Sequence, residues 1–256
     1  MSDTESKFNF TKAADQTEFE ALPESEQSDL VDSAQVEATK LNEQRDVEAA
    51  VTRIEGLYSR RGYYRDETVF DNVGSKVALA LIERGRGLDV AVNIERFKDV
   101  DRKEIMHALL EHQPVALAKN LDNFADVLDY KAACDLLDTG MTWYVAKKLP
   151  LFKDVDHEDI IQRFLRSDAY LELVGSLENF KGVNYKQLAL RLTAEGKAWA
   201  FLGKLDKFRD LDEEVAQKLV EDHRGPVVLE HLESFSGVSR ERIVELIDQF
   251  EKSKSK

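Results

Sequence analysis

Cysteine, glycine, proline and long apolar runs are all scarce in this 256-residue chain, and each scarcity excludes something. The lone thiol, Cys134, cannot close an internal disulfide or build a zinc site by itself, which removes the disulfide-stapled secreted domains. Only 12 glycines and 4 prolines are present, so turns with special backbone geometry are few and helices are favoured over a strand-rich fold. No run of 18 apolar residues occurs, so no segment reads as a membrane span. Met1 to Phe10 lacks the basic start and apolar stretch of a signal peptide, and the expectation is a cytoplasmic protein. Positive charge is also short. A net charge of −14 argues against a large nucleic-acid footprint, because phosphate binding needs a positive field.

Catalytic signatures are missing as well. There is no Gly-rich phosphate loop, no nucleophile elbow and no His-Glu-x-x-His, and His107, His112, His157, His223 and His231 are scattered. The expectation is a non-enzymatic protein without cofactor or metal, and Cys134 reads as a buried small residue beside Ala132 and Ala133.

The apolar content, 43%, is ample for a core, and the acidity is concentrated at the head. The first 50 residues hold 13 acidic and 4 basic side chains, leaving the remainder close to neutral. Residues 1–45, with isolated aromatics at Phe8, Phe10 and Phe19, predict a mostly disordered acidic segment. Over 46–69 the spacing of Val47, Ala50, Val51, Ile54 and Leu57 predicts an N-terminal capping helix and connector. This stretch carries a basic-aromatic cluster, Tyr58, Arg60, Arg61, Tyr64 and Arg65, which could stack on bases or pack against a first repeat.

From residue 70 to 250 the chain repeats. Phe70, Phe97, Phe124, Phe152, Phe180, Phe208 and Phe235 recur every 27 or 28 residues. Ile94, Leu121, Leu149, Leu177, Leu205 and Leu232 precede the last six by three, and Val or Leu follows all seven by three. The fifth residue of the Phe-Lys-Asp-Val-Asp phrase is Asp, Asn or Ser in five copies, which predicts a helix N-cap. Leu128 and Gly74 break that pattern, and Asp129 is positioned to cap in place of the first. Each repeat then holds two short helices separated by a break, often at Gly: Gly85, Gly140, Gly196 and Gly225. Helices this short are marginal alone, so stacking must supply their core. The predicted fold is all-α: an α-solenoid of two-helix repeats with N- and C-terminal capping helices and a disordered tail over 251–256.

Phe180-Lys-Gly-Val-Asn184 and Phe97-Lys-Asp-Val-Asp101 resemble short two-helix repeats with a Phe-Lys-Gly-Leu-Asp-type phrase in uncharacterised bacterial proteins, a resemblance that implies fold more than activity. The stretch Gly140-Met-Thr-Trp-Tyr-Val-Ala-Lys-Lys148 is loosely similar to the base-reading helix of Pumilio-type repeats. Pumilio units are longer, and their regular reading pattern is absent here.

Core positions repeat, so specificity must lie in the positions that vary. Two variable places four residues apart on the second helix give the pairs Asp89/Asn93, Ala116/Asn120, Tyr144/Lys148, Glu172/Ser176, Ala200/Lys204 and Val227/His231. These predict an exposed stripe along a concave surface that grips a protein or peptide partner, the chain acting as a monomeric scaffold. The alternative is a single-stranded RNA binder using Tyr58, Arg60, Arg61, Tyr64, Arg65 and Lys147. Trp143 and Trp199 share a repeat position with Leu88, Val115 and Leu171, and the expectation for both is core packing.

Overall fold

The computed structural model describes residue 44, residues 46–55, residue 70 and residues 73–254. Among these the regular structure is helical throughout, without a strand, so the fold is all-α. The acidic segment over 1–45, the connector beyond residue 55 and the basic-aromatic cluster fall almost wholly outside the described residues.

Each repeat resolves into a first helix, a tight turn, a second helix of 4 to 7 residues and a short 3-10 turn leading into the Phe. The first helix begins where the phrase ends, and its cap is the predicted one. Asp101 accepts from the backbone N–H of Lys103 and Glu104, Asp156 from Glu158 and Asp159, Asn184 from Gln187, and Asp212 from Glu214 and Val215. Ser239 caps the last helix through the Arg242 N–H at 3.2 Å. In the repeat starting at Phe124 the phrase is one residue longer. Leu128 turns inward, fully buried, and Asp129 takes over by accepting from Ala132 at 2.9 Å.

Two turn positions need left-handed backbone in nearly every repeat. Two residues after the Phe, φ is 52° at Asp99, 53° at Asp154, 67° at Gly182, 57° at Asp210 and 71° at Gly237. Only Gly, Asp and Asn enter that region at modest cost, which explains the Asp/Gly alternation in the phrase. Twelve residues before the Phe, φ is positive at Gly85, Gly140, Asp168, Gly196 and His223. Helix-closing bonds accompany that turn, as from Met141 N to Leu136 O at 2.9 Å and Lys197 N to Leu192 O at 2.7 Å. The break expected at Gly225 is therefore at His223 instead. Gly225 opens the second helix Gly225–Glu230 and is buried against Ile247, whose Cδ1 would lie 2.7 Å from an added Cβ.

The chain divides into two compact units. The first comprises Met1–Arg84 with Glu95–Val100. In it a helix over 46–55 buries Val51 and Ile54, and Arg84 pairs with Glu48 and Glu55. Phe70 and Phe97 stack at 5.8 Å, and the Lys98 N–H donates to Val73 O at 3.1 Å.

The second unit comprises Gly85–Ile94 with Asp101–Lys256. Within it first helices pack on first helices: Arg102–His112 on Tyr130–Asp138, that on His157–Arg166, and Tyr185–Ala194 on Glu213–Glu221. Second helices pack on second helices from Gly87–Asn93 through Pro114–Lys119, Thr142–Lys148 and Tyr170–Gly175 to Trp199–Leu202. All seven frame phenylalanines across the chain are buried. Successive phrases of the second unit are joined by backbone bonds, from Lys153 N to Leu128 O at 3.1 Å and from Ser236 N to Leu211 O at 2.7 Å. Side chains add rungs: the amides of Asn123 and Asn179 donate to Ala91 O at 3.0 Å and Ala146 O at 2.9 Å. The final helix runs Arg240–Lys254, so the tail expected to be disordered over 251–256 is helical as far as Lys254. Lys252 and Lys254 lie in its last turn, where cations complement the helix dipole, and the Lys254 amine sits 4.6 Å over the Phe250 ring.

Candidate functional site

The second helices of the second unit decide which residues face outward. Counting back from the closing Phe, the residues at −7 (Val90, Leu117, Val145, Leu173, Phe201 and Val228) are all fully buried and mark the inward direction. At about 100° per residue, positions −9 and −5 point about 200° away from it. Every residue at those two positions is exposed: Leu88, Val115, Trp143, Leu171, Trp199 and Pro226 in the first row, and Val92, Lys119, Lys147, Gly175, Gly203 and Glu230 in the second. The first row is apolar in all six repeats.

Trp143 and Trp199 are therefore not core residues. They are 53% and 48% exposed, and Leu88, Val115 and Leu171, at 44%, 46% and 58%, share that position. The expectation of core packing fails because apolar character was taken for inward direction. The predicted stripe is correspondingly one residue out of phase. Asn93 is buried at 4%, and Asp89, Asn120, Tyr144, Lys148, Glu172, Ser176 and His231 are half-buried. Ala116 and Ala200 are buried too; Lys204 alone of the stripe is fully exposed. Asn93 and Asn120 turn their amides back to the carbonyls of Asp89 and Ala116, both at 2.8 Å. These side chains finish short helices.

Charge along the face is mostly neutralised internally. Arg86 Nε donates to Asp89 at 2.6 Å, Lys148 pairs with Asp122 of the preceding repeat at 2.7 Å, and His231 Nδ1 lies 3.6 Å from Glu233. Lys207 pairs with Glu178 at 2.8 Å and holds that carboxyl below its ordinary range. The Lys147 amine sits 4.8 Å over the Trp143 ring, and Tyr144 meets the same indole edge-on at 4.9 Å. Lys197 lies 5.1 Å over the Tyr170 ring, whose hydroxyl donates to Asp168 and is pushed up to about 12 by that bond.

No family model, curated protein or solved structure matches this chain. The surface must be read from its own chemistry.

A pocket of about 310 Å³ lies between the first helices His157–Arg166 and Tyr185–Ala194, with Ile161, Leu165 and Leu188 as its floor. Arg191 on its rim is held by Glu195 at 2.9 Å and by Gln162. Cys134 is buried, and burial pushes its thiol up, which leaves it a poor nucleophile. Nearby, Asp159 accepts from the Tyr130 hydroxyl at 2.6 Å and from Arg163 Nε at 2.7 Å, and Arg163 also pairs with Asp138 at 3.2 Å, so these side chains tie two consecutive first helices together. No cluster of three metal-ligating side chains and no membrane-crossing helix occurs among the described residues. Tyr58, Arg60, Arg61, Tyr64 and Arg65, named for RNA contact, lie outside the described residues.

Proposed function

We propose that this chain is a non-enzymatic binding scaffold, an α-solenoid that holds a protein or peptide partner along the outward face of its second helices. The row Leu88, Val115, Trp143, Leu171, Trp199 and Pro226 carries the reading. Monomeric proteins seldom expose contiguous large apolar side chains, and such rows mark interaction surfaces. Here one falls on each of six repeats at one helical phase, which supports a linear ligand. First-on-first and second-on-second helix packing within the second unit is the arrangement a solenoid requires, and the last helix, packed on Glu213–Glu221 and Gly225–Glu230, supports its role as a closing cap.

The RNA reading draws on Trp143 with Lys147, since an indole beside an amine can stack on a base. Four of the six row positions are not aromatic, Glu172 and Glu230 adjoin the row, and Lys148 is neutralised by Asp122. Mixed charge around apolar side chains favours a polypeptide.

The test is capture from the protein's own cells, followed for protein and nucleic acid together. The wild-type chain is compared with a triple variant, Trp143→Ser, Leu171→Ser and Trp199→Ser. The expected result is a discrete protein retained by the wild type, lost by the variant and indifferent to nuclease. Recovery of RNA whose binding falls steeply with salt, or equal recovery by both chains, contradicts the proposal.

A further inference from the structure

Resting on that reading, we infer that the partner segment is a polyproline II stretch with an apolar side chain at every third residue and carboxylates between. Three features of the second unit point to it. The first is period. Second helices that pack side by side stand about 8–10 Å apart, so the row presents one apolar side chain per such step. A polyproline II chain advances about 9.3 Å in three residues and returns the same face each time. One turn of ligand therefore meets one repeat, and register holds along the row without bending the ligand.

The second feature is hydrogen bonding. The two indoles have no acceptor among the described residues, and Trp143 and Trp199 are 53% and 48% exposed. Each N–H can exchange water for a ligand carbonyl. An α-helix has already used its carbonyls internally, whereas a polyproline II chain leaves every one free. Trp143 and Trp199 are two repeats apart, which corresponds to about six ligand residues. Gly175 and Gly203, exposed at −5 beside Leu171 and Trp199, leave no side chain to hold a ligand backbone away from the indoles. Aromatic side chains with free donors are what surfaces selective for such chains use.

The third feature is charge. Lys119 is exposed in the second row with no carboxylate within ion-pair distance among the described residues, and Lys147, also in that row, has its amine over the Trp143 ring. Asp89 and Asp122, by contrast, already have cationic partners. In the two outward rows the charged residues are Lys119 and Lys147 against Glu230, so the rows carry a small positive excess, and carboxylates spaced between the ligand's apolar residues meet it.

The experiment uses the full chain and three labelled synthetic peptides of about fifteen residues, enough for five turns. One repeats Pro-Leu-Asp, one scrambles the same composition, and one is helix-stapled with leucine at every seventh position. Anisotropy of the label and emission of the two tryptophans are read together. The expected result is binding of the repeating peptide at least about tenfold tighter than the scramble, with a blue shift of tryptophan emission. Trp143→Phe, which keeps a ring and removes the N–H, weakens it about two- to tenfold, the range of one hydrogen bond. Lys119→Glu weakens it as well while leaving the circular dichroism unchanged. Preference for the stapled helix, or equal binding of repeat and scramble, overturns the inference. If the repeating peptide fails while the cellular partner still needs Trp143 and Trp199, the inference falls and the scaffold reading stands. If the triple variant also captures normally, both fall.

Discussion

Gly182 shows how one residue's backbone shapes the repeat. Its φ of 67° lies in the left-handed region, and an added Cβ would meet nothing within 4 Å. Any cost of Gly182→Ala is therefore conformational, and we expect a loss of about 1–2 kcal/mol from urea midpoints. Asp154 occupies the equivalent place at 53°, so Asp154→Gly should cost nothing by the same measurement. A neutral Gly182→Ala would mean that the turn is not strained. Asp159 makes a second residue-scale prediction. The Tyr130 hydroxyl first, and the Arg163 guanidinium second, hold its carboxyl below the ordinary carboxylate range. The unfolded chain lacks both partners and takes up the proton at higher pH. The stability contributed by Asp159 is complete above about pH 4 and drains away as pH falls through the lowered folded value. Asp159→Asn should lower stability at neutral pH and flatten that acid limb, and urea midpoints between about pH 7 and pH 3 check it. An unchanged acid limb contradicts the assignment.

Among elements, the first helices were legible from sequence because two signals coincided. Asp101, Asp156, Asn184 and Asp212 announced the caps, and Ile105, Leu109 and Leu110 announced the buried face. Asp156→Ala removes an acceptor serving two backbone N–H groups, and a destabilisation of about 1 kcal/mol is expected from thermal or urea unfolding. The second helices were less legible. At 4 to 7 residues they are too short for periodicity to fix a phase, and each closes in a 3-10 turn that shifts the count. An apolar residue at −9 looks like core when only hydrophobicity is weighed. The recurrent −7 and −3 positions would have corrected it, since Val145 and Leu149 are four apart on one face and Trp143 stands opposite. The turn at His223 was missed for a related reason. Gly225 looked like the break, while the left-handed residue two places earlier is a histidine.

For the molecule as a whole, the repeat frame was readable because the Phe is buried in all seven copies and the Ile or Leu three residues before it in five of six, whereas the Val or Leu three residues after it is buried only at Val73 and Leu211. Partner chemistry was not, because exposure is a property of phase and not of residue type. Removing residues 153–180 joins Phe152 to Lys181 and deletes one 28-residue period in frame. Stability in such arrays is a sum of repeat and neighbour terms. The shortened chain should keep its ellipticity per residue and unfold cooperatively at a lower midpoint. Collapse of the helical signal would show that the contacts are not those of nearest neighbours alone. The chain carries only two tryptophans, Trp143 and Trp199, and both stand in the exposed row. Their emission and acrylamide quenching in the unliganded full chain report on nothing else. We predict solvent-like emission and ready quenching that does not change with protein concentration. Blue-shifted emission with protection from acrylamide would place the indoles in a core and contradict the account.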